Sequence, residues 1–134
     1  MGARLLAACG LVVVGVGVFF VAFRPPLLPE DRRYIAAAEH ALDAVLPDLA
    51  RWLEKVFVVM GGYMVATGIL TIHLALVDVR KGSTTAWVVA AAAGGASIGL
   101  MAVVNLILRS NFRWPLLSLA TLWTAAVILA AFDV

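Results

Sequence analysis

Charge is scarce in this chain. Asp, Glu, Lys and Arg make up 13% of its 134 residues, where a soluble domain carries about 25%. That scarcity excludes a solvated globular surface, and the net charge of +2 is scattered, with no basic cluster to meet a nucleic acid. A single cysteine, Cys9, excludes an internal disulfide and a C-x-x-C redox pair. Histidine occurs twice, as His40 and His73. The two fall in different parts of the chain, so haem held between histidines of one chain is not expected. No P-loop, HExxH or GxSxG pattern occurs. No cofactor and no metal site is implied.

The chain is rich in uncharged runs. Leu5 to Phe23 is 19 residues, Val56 to Val77 is 22, Gly82 to Leu108 is 27 and Trp114 to Phe132 is 19. A bilayer core needs roughly 20 apolar residues at about 1.5 Å each. Backbone groups in lipid must bond within their own segment, so each run is expected to be a helix. The fold class is therefore all-α: a four-transmembrane-helix bundle in one domain over residues 1–134. Its spans are 5–23, 47–80 (including an extension beyond the membrane), 84–108 and 114–132. "LLAAC" ending at Cys9 resembles a lipoprotein cleavage box, but too few residues precede it for a signal peptide. "MGARLL" lacks the Ser or Thr of a myristoylation site. With no A-x-A site after it, the first run is expected to stay as a membrane helix.

Small residues mark candidate packing seams. The first helix has Ala8, Gly15 and Ala22, seven apart; the second has Gly61, Gly68 and Ala75, again seven apart. A period of seven favours a left-handed crossing. The third has Ala91, Gly95 and Gly99, four apart within "AAAAGGASIG". Small residues let helices approach closely in lipid, so this face is expected at the bundle centre or a subunit contact. Trp52, Trp87 and Trp114 suit the headgroup level. Lys81 to Thr84 and Ser110-Asn111 read as tight turns.

Between the first two spans lies "FRPPLLPEDRRYIAAAEH". Arg24-Pro25-Pro26 stops the first helix. Pro29-Glu30-Asp31 opens another, with proline in the first turn and two acids at the positive dipole end. At 100° per residue Ile35, Ala38 and Leu42 share one face, and Glu39, His40 and Asp43 the other. The expectation is an amphipathic cap helix over 29–46 that lies in the interface or folds over the bundle mouth. The cap and the Arg109–Arg113 loop hold seven Lys/Arg against three on the other side. The positive-inside rule then puts the cap in the cytoplasm.

Few residues offer chemistry. His73 is the only ionisable group well inside a span, and such groups default to a functional hypothesis; the plainer reading is a hydrogen-bonded structural histidine. Trp123 lies mid-span, far from either aromatic belt. Core packing is the plain reading, and the wall of an apolar ligand pocket beside Gly95 and Gly99 is the sharper one. Glu39, His40 and Asp43 could form an acid/base or metal set, or a solvated face. Asn105 is expected to bond across helices, and Asp78 to pair with Arg80 or Lys81. A small multidrug transporter needs a carboxylate inside its first span, and here there is none.

"FRPPLLPEDRRY" and "VFVVMGGYMVATGILTIHLA" resemble segments of small four-helix bacterial membrane proteins of the DoxX-like group. The long charged cap departs from the compact members of that group. The resemblance implies a four-helix bundle in a bacterial cytoplasmic membrane and carries over no catalytic residue. The expected function is a non-enzymatic accessory or scaffold subunit that packs in the bilayer, as a homo-oligomer or within a larger membrane complex, and binds lipid. The alternative is a membrane enzyme or carrier for a quinone or isoprenoid, with His73 as proton donor.

Overall fold

The computed structural model describes residues 1–35 and 46–132. Four helices are long and apolar enough to cross a membrane: Gly2–Ala22, Pro47–Lys81, Thr84–Ile107 and Arg113–Ala131. In finer detail the chain forms α1 (Gly2–Ala22), α2 (Pro29–Ile35) and α3 (Leu46–His73). Helix α3 runs on through a wide i→i+5 turn, Leu74–Asp78, and a tight turn, Val79–Lys81. Next come α4 (Thr84–Gly94), a second wide turn (Gly95–Gly99), α5 (Leu100–Ile107) and α6 (Arg113–Ala131). Of the expected cap helix over 29–46, the described part is α2; the rest, with Glu39, His40 and Asp43, lies outside the described residues.

Each boundary has a local cause. Pro29 opens α2, and Asp31 accepts the Leu28 backbone N–H at 2.9 Å, which satisfies one orphan donor of the first turn. Gly82 adopts φ 83° and the Ser83 N–H reaches back to the Asp78 carbonyl at 3.1 Å, closing the second span with a left-handed cap. Ser83 then caps α4, its hydroxyl accepting from the Ala86 N–H at 3.3 Å. The same cap recurs after α5, where the Ser110 N–H bonds the Asn105 carbonyl at 3.0 Å. There the left-handed position falls on Arg109, φ 50°, where glycine would be the unstrained choice.

Helix α1 is the hub, packed along α3 on one side and against α6 on another; α4 and α5 lean on α6. Its contact with α3 is a glycine seam. A Cβ on Gly17 would lie 2.8 Å from the Gly61 carbonyl oxygen, and one on Gly68 2.6 Å from the Gly10 oxygen. The α3 series Gly61, Gly68, Ala75 is buried, as its period suggests. On α1 the buried series is Ala3, Gly10, Gly17, also seven apart, while Ala8, Gly15 and Ala22 are exposed. Both series have the same period, and periodicity alone does not say which faces the partner.

The third span corrects the sequence reading in a similar way. Gly95 is exposed, and a Cβ there would meet nothing within 4 Å. Gly94 is the buried one, because the Trp123 ring occupies the space a Cβ would need. The buried face is Ala86, Ala90, Gly94, Ile98 and Ala102, at steps of four. Four residues of a regular α-helix overshoot one turn by about 40°. The wide turn at Gly95–Gly99 takes up that drift and keeps Ile98 and Ala102 on the inner face. Trp87, expected as a headgroup anchor, is half-buried and donates its indole N–H to the Val127 carbonyl at 2.7 Å, tying the third span to the fourth.

Candidate functional site

The second and third spans pack together chiefly beside the loop that joins them. Away from it they diverge, and α1 and the start of α6 form the floor of the gap. The result is a cavity of about 1040 Å³. From α1 come Val12, Gly15, Val16, Phe19 and Phe20; from α3, Phe57, Met60, Met64 and Thr67; from the third span, Ser97, Met101, Val104 and Asn105. Several of these, among them Gly15, Met60 and Val104, remain exposed, so the cavity opens sideways as a cleft.

Its wall polar groups are turned inward on their own helices. Thr67 donates to the Tyr63 carbonyl at 2.8 Å, Ser97 to Ala93 at 2.6 Å and Asn105 to Met101 at 2.9 Å. Asn105 therefore shows no bond across helices among the described residues, contrary to expectation; one of its two amide N–H donors is spent one turn back. What these side chains still have to offer the cleft are their oxygens as acceptors and the second N–H of Asn105.

One end of the cleft is polar, built by Arg24, Glu30, Asp31 and Ser110. Arg24 stands two residues past the end of α1, and its side chain is only 7% exposed. The guanidinium carbon lies 3.4 Å from the centroid of Phe57 and 5.1 Å from that of Phe20. It pairs with Asp31 at 3.2 Å and donates to the Pro25 carbonyl at 3.1 Å. An arginine so desolvated is held by both the ion pair and the aromatic faces. Burial lowers its pKa from the ordinary guanidinium value, while Asp31 and Glu30 oppose that shift.

Glu30 is 3% exposed. It accepts the Ser110 hydroxyl at 3.1 Å, and Ser110 in turn accepts the Phe112 N–H at 3.1 Å. Burial on its own would push the Glu30 carboxyl up. The backbone N–H groups of Glu30 and Asn111, the Ser110 hydroxyl and the Arg33 charge outweigh burial and hold it below 4.5. The strained turn at Arg109 delivers Ser110 to this contact, 80 residues away in sequence. Phe19 and Phe112 stack obliquely at 6.4 Å beside it.

The residues singled out from the sequence lie elsewhere. His73 is exposed on α3 and does not line the cavity. Trp123 is 4% exposed and sits in the core against Gly94, its indole N–H without a hydrogen-bond partner among the described residues. Gly95 and Gly99 are off the cavity too. Trp123 packs in the core and is not in the cavity lining, which Ile98 of the same core cluster does reach. Asp78, half-buried, takes part in no ion pair among the described residues.

Sequence reasoning missed Arg24, Glu30 and Ser110 as a unit. Arg24 had a signal, an arginine directly after an aromatic-rich helix end and seven residues before an acid. The Glu30–Ser110 bond had none. No family model, curated protein or solved structure matches the chain. What the geometry defines, among the described residues, is an all-helical fold with four helices long and apolar enough to cross a membrane, enclosing a lateral apolar cleft with one charged end.

Proposed function

We propose that this is a non-enzymatic integral membrane protein that holds a lipid-like molecule in its cleft, as an accessory subunit of a larger membrane assembly or of a homo-oligomer. The cleft carries the reading. It is apolar along its length, polar at one end and open sideways, and at about 1040 Å³ it has the size of a site for a drug-sized or larger ligand. The polar end sits where α1 ends and the Ser110 loop begins, at headgroup level if the spans cross a bilayer. Trp114, exposed at the start of α6, suits that level. A molecule entering from the same leaflet would keep its head at the interface and its tail among Val16, Met60 and Val104. The seven Lys/Arg on this side favour a cytoplasmic cap in a bacterial inner membrane.

His73 does not line the cleft, so no proton chemistry on a quinone or isoprenoid is assigned to it. The test uses Gly15. It lines the cavity and a Cβ there meets nothing within 4 Å, so Gly15→Phe fills the cleft without disturbing a packed face. Native mass spectrometry of gently extracted protein should find lipid retained by the wild type and lost from Gly15→Phe, with thermal unfolding of the lipid-free protein no earlier than the wild type's. Equal retention by both, or none by either, defeats the reading. His73→Gln should retain lipid as the wild type does.

A further inference from the structure

Which head the cleft accepts is written in its charged end. Among the described residues three ionisable side chains line it, Arg24, Glu30 and Asp31, one cation against two carboxylates. An anionic head, such as a phosphate, would be brought into low dielectric beside both carboxylates, and like charges so placed repel strongly. A cationic head fares no better, because the groups that would receive it are already taken: Phe57 and Phe20 carry the Arg24 guanidinium, Asp31 is paired with it, and Glu30 accepts from Ser110. A neutral head meets neither obstacle.

The hydrogen-bonding inventory points the same way. A guanidinium has five N–H donors. The contacts of Arg24 use one on Nη1, to Pro25, and one on Nη2, to Asp31. Its remaining donors are the chief supply at this end, since Ser110 spends its hydroxyl proton on Glu30 and Thr67 and Ser97 spend theirs on their own helices; Asn105 adds its second amide N–H and Tyr63, along the wall, a phenol. Those wall groups and the carboxylates present acceptors. A neutral head that carries carbonyl oxygens and a hydroxyl matches both sets.

Resting on the lipid-holding reading, we propose that the cleft selects an uncharged, long-chain amphiphile headed by carbonyl or ester oxygens over lipids with a charged head. Arg24 donates to the carbonyl, and Glu30 with Asp31 excludes anions. The probes are three lipids with identical acyl chains: diacylglycerol, phosphatidic acid and a diacyl trimethylammonium lipid. Each is titrated into delipidated full-length protein in a neutral detergent and followed by native mass spectrometry. Diacylglycerol should bind roughly tenfold or more tighter than either charged lipid. Glu30→Gln keeps the shape and the Ser110 contact but removes one carboxylate charge, and should bring phosphatidic acid severalfold closer to diacylglycerol. Equal or tighter binding of either charged lipid overturns the head preference and leaves the lipid-holding reading standing. So does a Glu30→Gln variant with unchanged discrimination. If no probe binds and Gly15→Phe behaves as the wild type, the lipid-holding reading itself has failed.

Discussion

Helix α1 carries two glycines two residues apart that do opposite things. Gly17 faces α3, where a Cβ would stand 2.7 Å from the Val65 nitrogen and 2.8 Å from the Gly61 oxygen. Gly15 faces the cleft, with nothing within reach. One face of a single helix is closed against its neighbour and another is left open. Inside lipid, apolar burial does not drive helices together, and close van der Waals packing does. The closed seam therefore holds the bundle, and the cleft is space that the packing does not need. The same residue type marks both, so it is the surroundings of a glycine that report its role.

Breaking the closed side should have the largest effect. In Gly17→Leu the obstructing atoms are backbone, which cannot swing aside, and overpacking of this kind costs about 3 kcal/mol. Unfolding in detergent should fall accordingly, and Gly68→Leu should behave alike because its Cβ would meet the Gly10 oxygen at 2.6 Å. A wild-type midpoint for either variant would mean that α1 and α3 do not pack through glycine.

The third span sharpens the contrast at adjacent positions. Gly94→Ala drives a methyl into the Trp123 ring and should cost about 1–3 kcal/mol. Gly95→Ala, one residue on, should be neutral or slightly stabilising. The same unfolding assay separates them, and equal effects would return the inner face to the register expected from the sequence.

These pairs show where the sequence was informative. Four helices, their ends and the turn at Gly82 follow from run length, proline, glycine and charge, because those signals act locally. The α3 seam at Gly61, Gly68 and Ala75 was legible as well. The facing choice on α1 and the third span was not, since Ala8–Gly15–Ala22 and Ala3–Gly10–Gly17 repeat identically, and so do the Gly94 and Gly95 faces. A wide turn that resets helical phase leaves no plain mark in the sequence. At the cleft, His73 drew attention as an intramembrane titratable group, whereas the charged end is assembled from Arg24, Glu30 and Ser110 by tertiary contact. A hydrogen bond across 80 residues has no local signature.

The charged end gives a pH-dependent prediction. Glu30 is held below its ordinary value of 4.5 when folded, so its contacts contribute stability that is complete above that value and is lost as pH falls through the lower folded one. At neutral pH Glu30→Gln should be less stable than the wild type by about 1 kcal/mol. The difference should shrink as the pH is taken below 4.5. A gap that stays constant with pH would mean that Glu30 is bonded as a neutral acid.

The smallest effect belongs to the open side, and its sign is the informative part. Gly15 lies in the middle of α1, where glycine brings extra backbone freedom to the unfolded chain and no side chain to the fold. Glycine in such a position is less favourable than alanine by roughly 0.5–1 kcal/mol. Nothing within 4 Å opposes the methyl of Gly15→Ala, so that variant should unfold later than the wild type by about that amount. Gly17→Ala carries the same intrinsic gain, but its methyl meets the backbone of α3 and the net effect should be destabilising. Two single-methyl additions, two residues apart on one helix, should thus move the unfolding midpoint in opposite directions. A cleft filled by a tightly packed neighbouring helix would make both destabilising, because Gly15 would then face a packed surface as Gly17 does.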